Sequence, residues 1–287
     1  MYNYIYTQQY KGNNPGWRPS SHVCIETDGN IIYAHTTLVP EVFANPPKEP
    51  FKLVTESGDL GLFEDGDNIR IGNIYVSNWF IKKSDIPDNL IMWFAQHANI
   101  IHPKIKALPL GIPYHDQTDR MQKMLSFVEK NGGKTGLAYL NCRIESNVNE
   151  RFTAYEFGSQ NKDWTVHHHP SDLKKHGFII SGSQDEIDNR FLYEVARHRF
   201  TVCPQGAGVD TYRFWETLYM GSIPIVRNNQ KLTKNWNLPI LEVGNWSDCT
   251  TEFLNRQYEI ILARGQNQEY DLNQLNRYYW VNLIKNS

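Results

Sequence analysis

The segment from Phe200 to Val226 combines residue types that suit the binding of a charged ligand. A short apolar run ends at Pro204, and a loop that contains Gly206 and Gly208 follows it. In parallel α/β sheets, ligands bind beyond the carboxyl ends of the strands, where loop amides and a helix N-terminus favour an anion such as a diphosphate. Because glycine has no side chain, the backbone of this loop can approach such a ligand closely.

The helix that follows this loop, predicted to begin at Asp210 or Thr211, carries two charged side chains one turn apart. Arg213 in the first turn can pair with phosphate oxygens in a bidentate manner. Glu216 lies one turn on, so both side chains can face one cleft, where the carboxylate can accept hydrogen bonds from ribose hydroxyls. The spacing alone also fits a surface ion pair that contributes little to stability.

Strands and helices alternate throughout the second half of the sequence. Apolar runs predict strands at 137–142, 164–167, 200–204 and 223–226. Helical spacing of apolar residues predicts helices near 149–157, 184–197 and 211–220, followed by closing helices at 248–263 and 272–285. This alternation implies a parallel sheet with right-handed crossover connections.

The first half is less regular and is separated from the second by a glycine-rich segment. Runs at 51–55, 69–79 and 107–113 predict strands, and mixed apolar spacing at 90–98 suggests a short helix. A longer helix is predicted at 117–129. The segment 131–136 holds three glycines and no apolar residue, so we expect a domain boundary there. This divides the chain into residues 1–130, 131–265 and a C-terminal helix at 266–287 that could pack back on the first domain.

Composition limits the classes of function. Hydrophobic residues make up 40% and charged residues 21% of the 287 residues, which favours a packed core over disorder. The formal net charge of −2 gives no basic excess, so a nucleic-acid partner is not indicated. No stretch reaches the ~20 apolar residues of a membrane span. The four cysteines form no CxxC pair, and we expect reduced thiols in a cytoplasmic protein: Cys24, Cys142, Cys203 and Cys249.

The segment 200–226 closely resembles the signature of the exostosin-like glycosyltransferases. The shared pattern is a strand, a proline, a glycine loop, the run Asp-Thr-Tyr-Arg-Phe-Trp-Glu at 210–216, and Gly-Ser-Ile-Pro-Ile-Val at 221–226. A looser resemblance covers 93–102 and 108–112, which look like the end of the family's first domain. The stretches 139–143 and 149–151 look like the opening strand and loop of its second domain.

This resemblance implies an α/β GT-B fold, in which two Rossmann-like domains with parallel sheets face an inter-domain cleft. The first domain would bind the acceptor and the second a nucleotide-sugar donor. Glu216 matches the carboxylate that such enzymes place on the donor ribose, and Arg143 and Arg213 become diphosphate ligands, with Arg151 a weaker third. Arg213 would also act in catalysis by stabilising the leaving group, so that a metal is not required. The remaining donor-binding candidates are Asn141, Pro204, Gly206, Gly208, Asp210 and Thr211.

Inverting glycosyl transfer needs a base that deprotonates the acceptor hydroxyl, and we expect it in the first domain. Asp59 is the first candidate because it follows the predicted strand 51–55 in a loop, a position that suits catalysis. Glu56 and His97 come next.

Two other patterns resemble metal sites. Asp65-Gly66-Asp67 is similar to the DxD motif that binds Mn²⁺ or Mg²⁺ in GT-A transferases, but it lies between two strand-like runs and suits a hairpin turn better. His167, His168 and His169 are consecutive, so on an extended segment they point to alternate sides and rarely share one ion. We expect an exposed or structural run there, near the donor base.

The expected function is an inverting, metal-independent transfer from a UDP-sugar to a hydroxyl of an oligosaccharide or glycoprotein glycan. Xylose is slightly favoured among the sugars of the resembled family. A compact form without the family's anchor and stem suggests a bacterial or large-virus enzyme, acting in the host cytoplasm in the viral case. The alternatives are a GT-B fucosyltransferase that uses GDP-fucose, and a carbohydrate-binding protein without turnover.

Overall fold

The first half of the chain forms a five-stranded sheet. In the computed structural model, which describes residues 25–56, 61–64, 79–112, 117–169 and 183–287, its strands are β1 (Ile25–Asp28), β2 (Ile31–His35), β3 (Phe51–Glu56), β6 (Leu90–Gln96) and β8 (Ile105–Leu108). Their spatial order is β1-β2-β3-β6-β8. β1 pairs antiparallel with β2, and all other pairs are parallel. A small parallel sheet accompanies it, made of β4 (Leu62–Glu64), β5 (Trp79–Ile81) and β7 (Ala98–Asn99).

The second half forms a five-stranded sheet that is parallel throughout. Its strands are β9 (Gly136–Leu140), β10 (Trp164–Val166), β11 (His198–Val202), β12 (Ile223–Arg227) and β13 (Leu241–Val243), in the order β10-β9-β11-β12-β13. The chain winds outward from β9 to β10, then returns to place β11 on the other side of β9. Such a reversal opens a crevice between the carboxyl ends of β9 and β11, where ligands of open α/β sheets bind.

Seven α-helices connect and cover these sheets in the described part of the chain: α1 (Val39–Ala44), α2 (Gln117–Asn131), α3 (Val148–Gln160), α4 (Gln184–Arg197), α5 (Tyr212–Tyr219), α6 (Thr251–Gln266) and α7 (Arg277–Asn286). Local sequence explains where two of them begin. The Asn147 side chain accepts a hydrogen bond from the backbone of Glu150 at the start of α3. Ser183 and Glu186 form a reciprocal capping box at the start of α4.

The two halves share a hydrophobic core. Trp93 of β6 and Trp215 of α5 are fully buried and lie in the same cluster of apolar side chains, as does Ile284 of α7. A second cluster, around Phe200 and Ile225, fills the space beneath the second sheet. Lys134 anchors the glycine-rich segment 131–136. Its Nζ donates hydrogen bonds to the carbonyls of Val195 and Met220, at the ends of α4 and α5.

The C-terminal helix contacts the first sheet. Nζ of Lys52, on β3, donates hydrogen bonds to the carbonyl oxygens of Ile284 (2.8 Å) and Lys285 (2.9 Å). These carbonyls belong to the last turn of α7, where a cation is favourable. The division into residues 1–130, 131–265 and 266–287 remains a prediction.

The predicted α/β class with two units of parallel sheet is confirmed. The helix expected at 90–98 is wrong, because this run forms strand β6 and continues into β7. Trp93, Phe94 and Ala95 are all fully buried, and a strand covered on both faces has no alternation by which to recognise it. The strand expected at 107–113 is Ile105–Leu108. Most of the strand expected at 69–79 lies outside the described residues.

Candidate functional site

The crevice of the second sheet brings together the two loops that the sequence singles out. Tyr139 of β9 pairs with Thr201 of β11, so Asn141 and Pro204 follow their strands at the same edge. Pro204 is buried and Asn141 half-buried. Arg143 remains exposed and pairs with Glu145, 3.0 Å away. The resulting edge holds loop amides and a solvent-accessible guanidinium, both of which suit an anion.

Arg151 of α3 ties these two loops together. Its Nε donates to the carbonyl of Gln205 (2.9 Å), in the loop after β11. Its Nη1 donates to the carbonyl of Arg143 (2.7 Å), in the loop after β9. The side chain is buried, and its guanidinium holds the two loops that border the crevice. Its contact with the donor remains a prediction, whereas its hydrogen bonds to both loops are present in the structure.

Both loop glycines pack closely against other side chains of the protein. A Cβ atom at position 206 would lie 2.6 Å from Nη2 of Arg151, and one at position 208 would lie 2.5 Å from Cε1 of His97. Real Cβ atoms do not approach other atoms so closely. The glycines therefore have a structural reason in addition to the backbone–ligand approach expected from the sequence.

Asp210 joins the loop to the first half of the chain. Its buried carboxylate accepts hydrogen bonds from the Trp215 indole (2.8 and 2.9 Å), the Thr211 amide (2.8 Å) and the Leu110 amide (2.7 Å). Burial raises the pKa of Asp210 to about 7, against the effect of these donors. The side chain thus fixes the start of α5 and is already engaged by protein groups.

His97, one of the candidate bases, is also engaged in this contact. The residue is fully buried, has a positive φ of 53°, and its Nδ1 accepts a hydrogen bond from the backbone of Asp210 at 3.1 Å. An accepting Nδ1 places the ring proton on Nε2. Sequence reasoning found the residue, but the structure gives it a role in holding the glycine loop.

Glu216 has a partner that the sequence does not reveal. Its buried carboxylate accepts two hydrogen bonds at Oε1, from Nε (2.8 Å) and Nη2 (2.7 Å) of Arg120 in the first turn of α2. Burial raises the pKa of Glu216, and the guanidinium groups of Arg120 and Arg213 oppose that rise. The two residues are 96 positions apart, and no local pattern links them.

Arg213, a predicted diphosphate ligand, lies against an aromatic ring. Its guanidinium stacks over the ring of Phe191, with its Cζ 5.4 Å from the ring centroid. Its Nε is buried and donates no hydrogen bond within the described residues. Next to it, burial raises the pKa of the Cys203 thiol to about 12, although the charge of Arg213 acts in the opposite direction. Arg213 therefore brings a positive charge to the crevice while an aromatic ring supports it.

The histidine run lies at the carboxyl end of β10, next to β9. His168 stacks on Tyr155 (ring centroids 5.0 Å apart), whereas His167 meets Tyr139 edge-on (5.6 Å). Adjacent imidazoles thus contact different neighbours, which agrees with a structural run. Burial is the main cause of a lowered pKa of His167. In the part of the chain that the structure describes, no three His, Cys, Asp or Glu side chains are grouped to hold a metal ion.

The first candidate base, Asp59, lies outside the described residues, as does the segment Asp65 to Asp67. Glu56 ends β3 and pairs in register with His35, which ends β2. Sequence analysis did not single out His35, the last residue of β2. The two residues place titratable groups at the carboxyl edge of the first sheet.

Comparisons with known proteins agree with the signature. Exostosin-1c of Danio rerio is 24% identical over 211 residues, which cover 67% of this chain and 27% of that protein. Exostosin-1a of the same fish is 21% identical over 218 residues, which cover 70% of this chain and 28% of that protein. The chain thus spans little more than a quarter of the length of these relatives. No family model matches it.

A weaker structural similarity was also found. The C-terminal domain of a glycosyl transferase group 1 family protein from Francisella tularensis aligns with 54% of this chain and 95% of that domain, at 13% identity and a TM-score of 0.25. A TM-score this low adds nothing to the assignment.

The fold and its crevice define an α/β protein of two sheet units, one parallel throughout and one parallel except for the β1–β2 pair, with cations at a topological switch point. The chain is similar in sequence to exostosins over about two thirds of its length, so the predicted resemblance is confirmed. Within the described ranges, no helix is both long and apolar enough to span a bilayer.

Proposed function

We propose that this protein is a glycosyltransferase that moves a sugar from a nucleoside diphosphate sugar to a hydroxyl of a glycan. The observation that carries the proposal is the crevice between β9 and β11. There the glycine loop, the stacked guanidinium of Arg213 and the carboxylate of Glu216 lie on one strand–loop–helix unit. The similarity to exostosins over about two thirds of the chain supports it.

In this proposal the diphosphate lies against Arg213, Arg143 and the amides after Pro204. Glu216 accepts hydrogen bonds from the ribose hydroxyls. UDP is the first candidate nucleotide and xylose the first candidate sugar, by analogy with the resembled family. The guanidinium groups stabilise the negative charge that develops on the leaving diphosphate, as charge-assisted donors do.

Transfer with inversion follows from a single displacement. A base from the first half of the chain removes the proton of the acceptor hydroxyl, whose oxygen forms a bond to the anomeric carbon. The bond from that carbon to the diphosphate oxygen breaks, and its electron pair leaves with the nucleotide. Asp59 remains the proposed base, with Glu56 as the alternative at the end of β3. His97 is less suitable because it is buried against the glycine loop.

Isothermal titration with UDP, GDP and CMP tests the proposal. We expect UDP to bind, and Arg213→Ala to weaken binding about tenfold or more, since a charge-assisted hydrogen bond contributes about 1.5–3 kcal/mol. Arg199→Ala is the matched control, because Arg199 also stacks on an aromatic ring (Tyr258, 4.9 Å) but lies near the opposite end of β11.

Three outcomes would contradict parts of the proposal. Preferential binding of GDP would indicate that the donor is GDP-fucose and that the protein is a fucosyltransferase. Glycan binding without nucleotide binding would favour a carbohydrate-binding protein. If the Arg213 and Arg199 substitutions weakened UDP binding equally, the crevice would not be the nucleotide-binding site.

A further inference from the structure

The Arg120–Glu216 pair connects the two halves of the chain at the proposed donor site. Arg120 lies in the first turn of α2, before the glycine-rich segment, and Glu216 lies in α5 after it. Both are largely buried, with 15% and 7% of their side chains exposed. An ion pair of this kind differs from a surface pair, because removing one partner leaves an uncompensated charge in a dry environment.

Both hydrogen bonds of the pair end on one oxygen of the carboxylate. Arg120 directs two donors, Nε and Nη2, at the same oxygen, Oε1. No hydrogen bond to Oε2 occurs within the described residues. A carboxylate oxygen can accept two hydrogen bonds, and a ribose offers two neighbouring hydroxyl donors.

Arg120 is itself held in place by a third element. Its Nη1 lies 3.7 Å from Oδ2 of Asp188 in α4, and its Cζ lies 6.0 Å from the ring centroid of Phe191. These contacts favour the orientation in which the guanidinium meets Glu216.

The charged and titratable groups that face Glu216 come from each neighbouring element. Arg120 of α2 and Arg213 of its own helix favour the carboxylate, whereas Asp188 of α4 disfavours it. Cys203 of the loop after β11 is buried with a raised pKa and is neutral near pH 7. Arg120 is the only one of these groups that is hydrogen-bonded to the carboxylate in the described structure.

We propose that Arg120 is a positioning residue that keeps Glu216 ionised and oriented, so that Oε2 is presented to the ribose of the donor. Nucleotide affinity then depends on contact between α2 and α5, which belong to different halves of the chain. This inference rests on the proposed function, because it assigns a task to the same carboxylate.

The test is UDP affinity, measured by isothermal titration between pH 6 and 8.5 for the wild type, Arg120→Gln and Arg120→Lys. Without Arg120 the folded-state pKa of Glu216 rises further, so the carboxyl is protonated at low pH and becomes a carboxylate again as pH rises. We expect Arg120→Gln to bind UDP about tenfold more weakly at pH 6, and the ratio to the wild type to recover towards pH 8.5. Arg120→Lys restores most of the affinity because it restores the charge.

Lys123→Gln is the matched control. Lys123 lies one turn further along α2 and forms an exposed ion pair with Asp185 of α4, 3.6 Å away, without touching Glu216. Its removal should leave UDP affinity within about twofold at every pH, as expected for a surface pair.

A second comparison holds even if Arg120→Gln folds poorly. In a Glu216→Gln background, adding Arg120→Gln should not change UDP affinity further, because the partner through which Arg120 acts is gone. This double variant also leaves no buried unpaired charge.

The inference would be overturned if Arg120→Gln bound UDP as tightly as the wild type or more tightly, or if it lost UDP affinity equally at every pH. In either case, binding of UDP by the wild type would leave the proposed function intact. A further loss in the Glu216→Gln background would also overturn it. If the wild type binds none of UDP, GDP or CMP, both the proposed function and this inference fail.

Discussion

Substituting Gly208 by alanine tests the packing that places the glycine loop. The added Cβ atom would lie 2.5 Å from Cε1, 2.8 Å from Nδ1 and 3.0 Å from Nε2 of His97. The imidazole cannot easily move, because its residue is fully buried, its Nδ1 accepts from the Asp210 amide, and its carbonyl accepts from the Leu62 amide. The substitution therefore has to displace the loop or the ring.

The expected cost follows from overpacking in a closed site. Such insertions destabilise proteins by about 1–3 kcal/mol, which lowers the melting temperature by about 2–5 °C in a chain of this size. Gly133→Ala is the matched control, since nothing lies within 4 Å of a Cβ atom there. The melting temperatures of both variants are measured by thermal unfolding, with circular dichroism as the signal.

Two comparisons decide whether the explanation is correct. In a His97→Ala background, Gly208→Ala should cost less than 0.5 kcal/mol (about the scatter of independent sites), because the atoms that clash are gone. If Gly208→Ala is as stable as Gly133→Ala in the wild-type background, the loop is not packed against His97 and the reasoning is refuted.

Three further substitutions test other contacts. Burial raises the folded-state pKa of Asp210 to about 7, above its unfolded value, so its contribution to stability is present at low pH and is lost as pH rises through that value. Asp210→Asn should flatten the fall in stability between pH 4 and 7 in urea titrations, and an unchanged slope would contradict this. Lys52→Met removes two hydrogen bonds to the end of α7 and should cost about 1–3 kcal/mol, with faster amide exchange in α7. Its control is Lys104→Met, which removes one solvent-exposed hydrogen bond to a carbonyl and should cost less than about 0.5 kcal/mol. Tyr155→Phe removes a buried hydroxyl that lies 2.9 Å from the Cys142 amide and 2.9 Å from the His167 carbonyl. This change should lower the free energy of unfolding by about 1–3 kcal/mol and weaken UDP binding. A variant as stable as the wild type would show that the hydroxyl is dispensable.

Local patterns predicted the second half of the chain well. The predicted helix at 184–197 has the observed bounds, and the strand–loop–helix around Arg213 begins and ends within two residues of its expected limits. These elements have clear periodicity, recognisable caps and a glycine loop, so neighbouring residues contain the necessary information.

Contacts between distant segments explain what the sequence could not give. Strand β6 was mistaken for a helix because burial on both faces removes its alternation. Arg120 reaches Glu216 across 96 residues, and Asp210 reaches Leu110 across 100, so neither pairing has a local signal. The roles of Gly206 and Gly208 depended likewise on neighbours, Arg151 and His97, that only the folded chain brings near. Sequence reasoning selected the segment, and the tertiary contacts decided what each of its side chains can touch.

A structure of the protein with UDP bound tests the central claim most directly. The account predicts the diphosphate between the carboxyl ends of β9 and β11, within hydrogen-bonding distance of Arg213 and the amides after Pro204, with the ribose hydroxyls on Glu216. Binding of UDP at any other surface, with Arg213 still stacked on Phe191 and in contact with no phosphate oxygen, would contradict it.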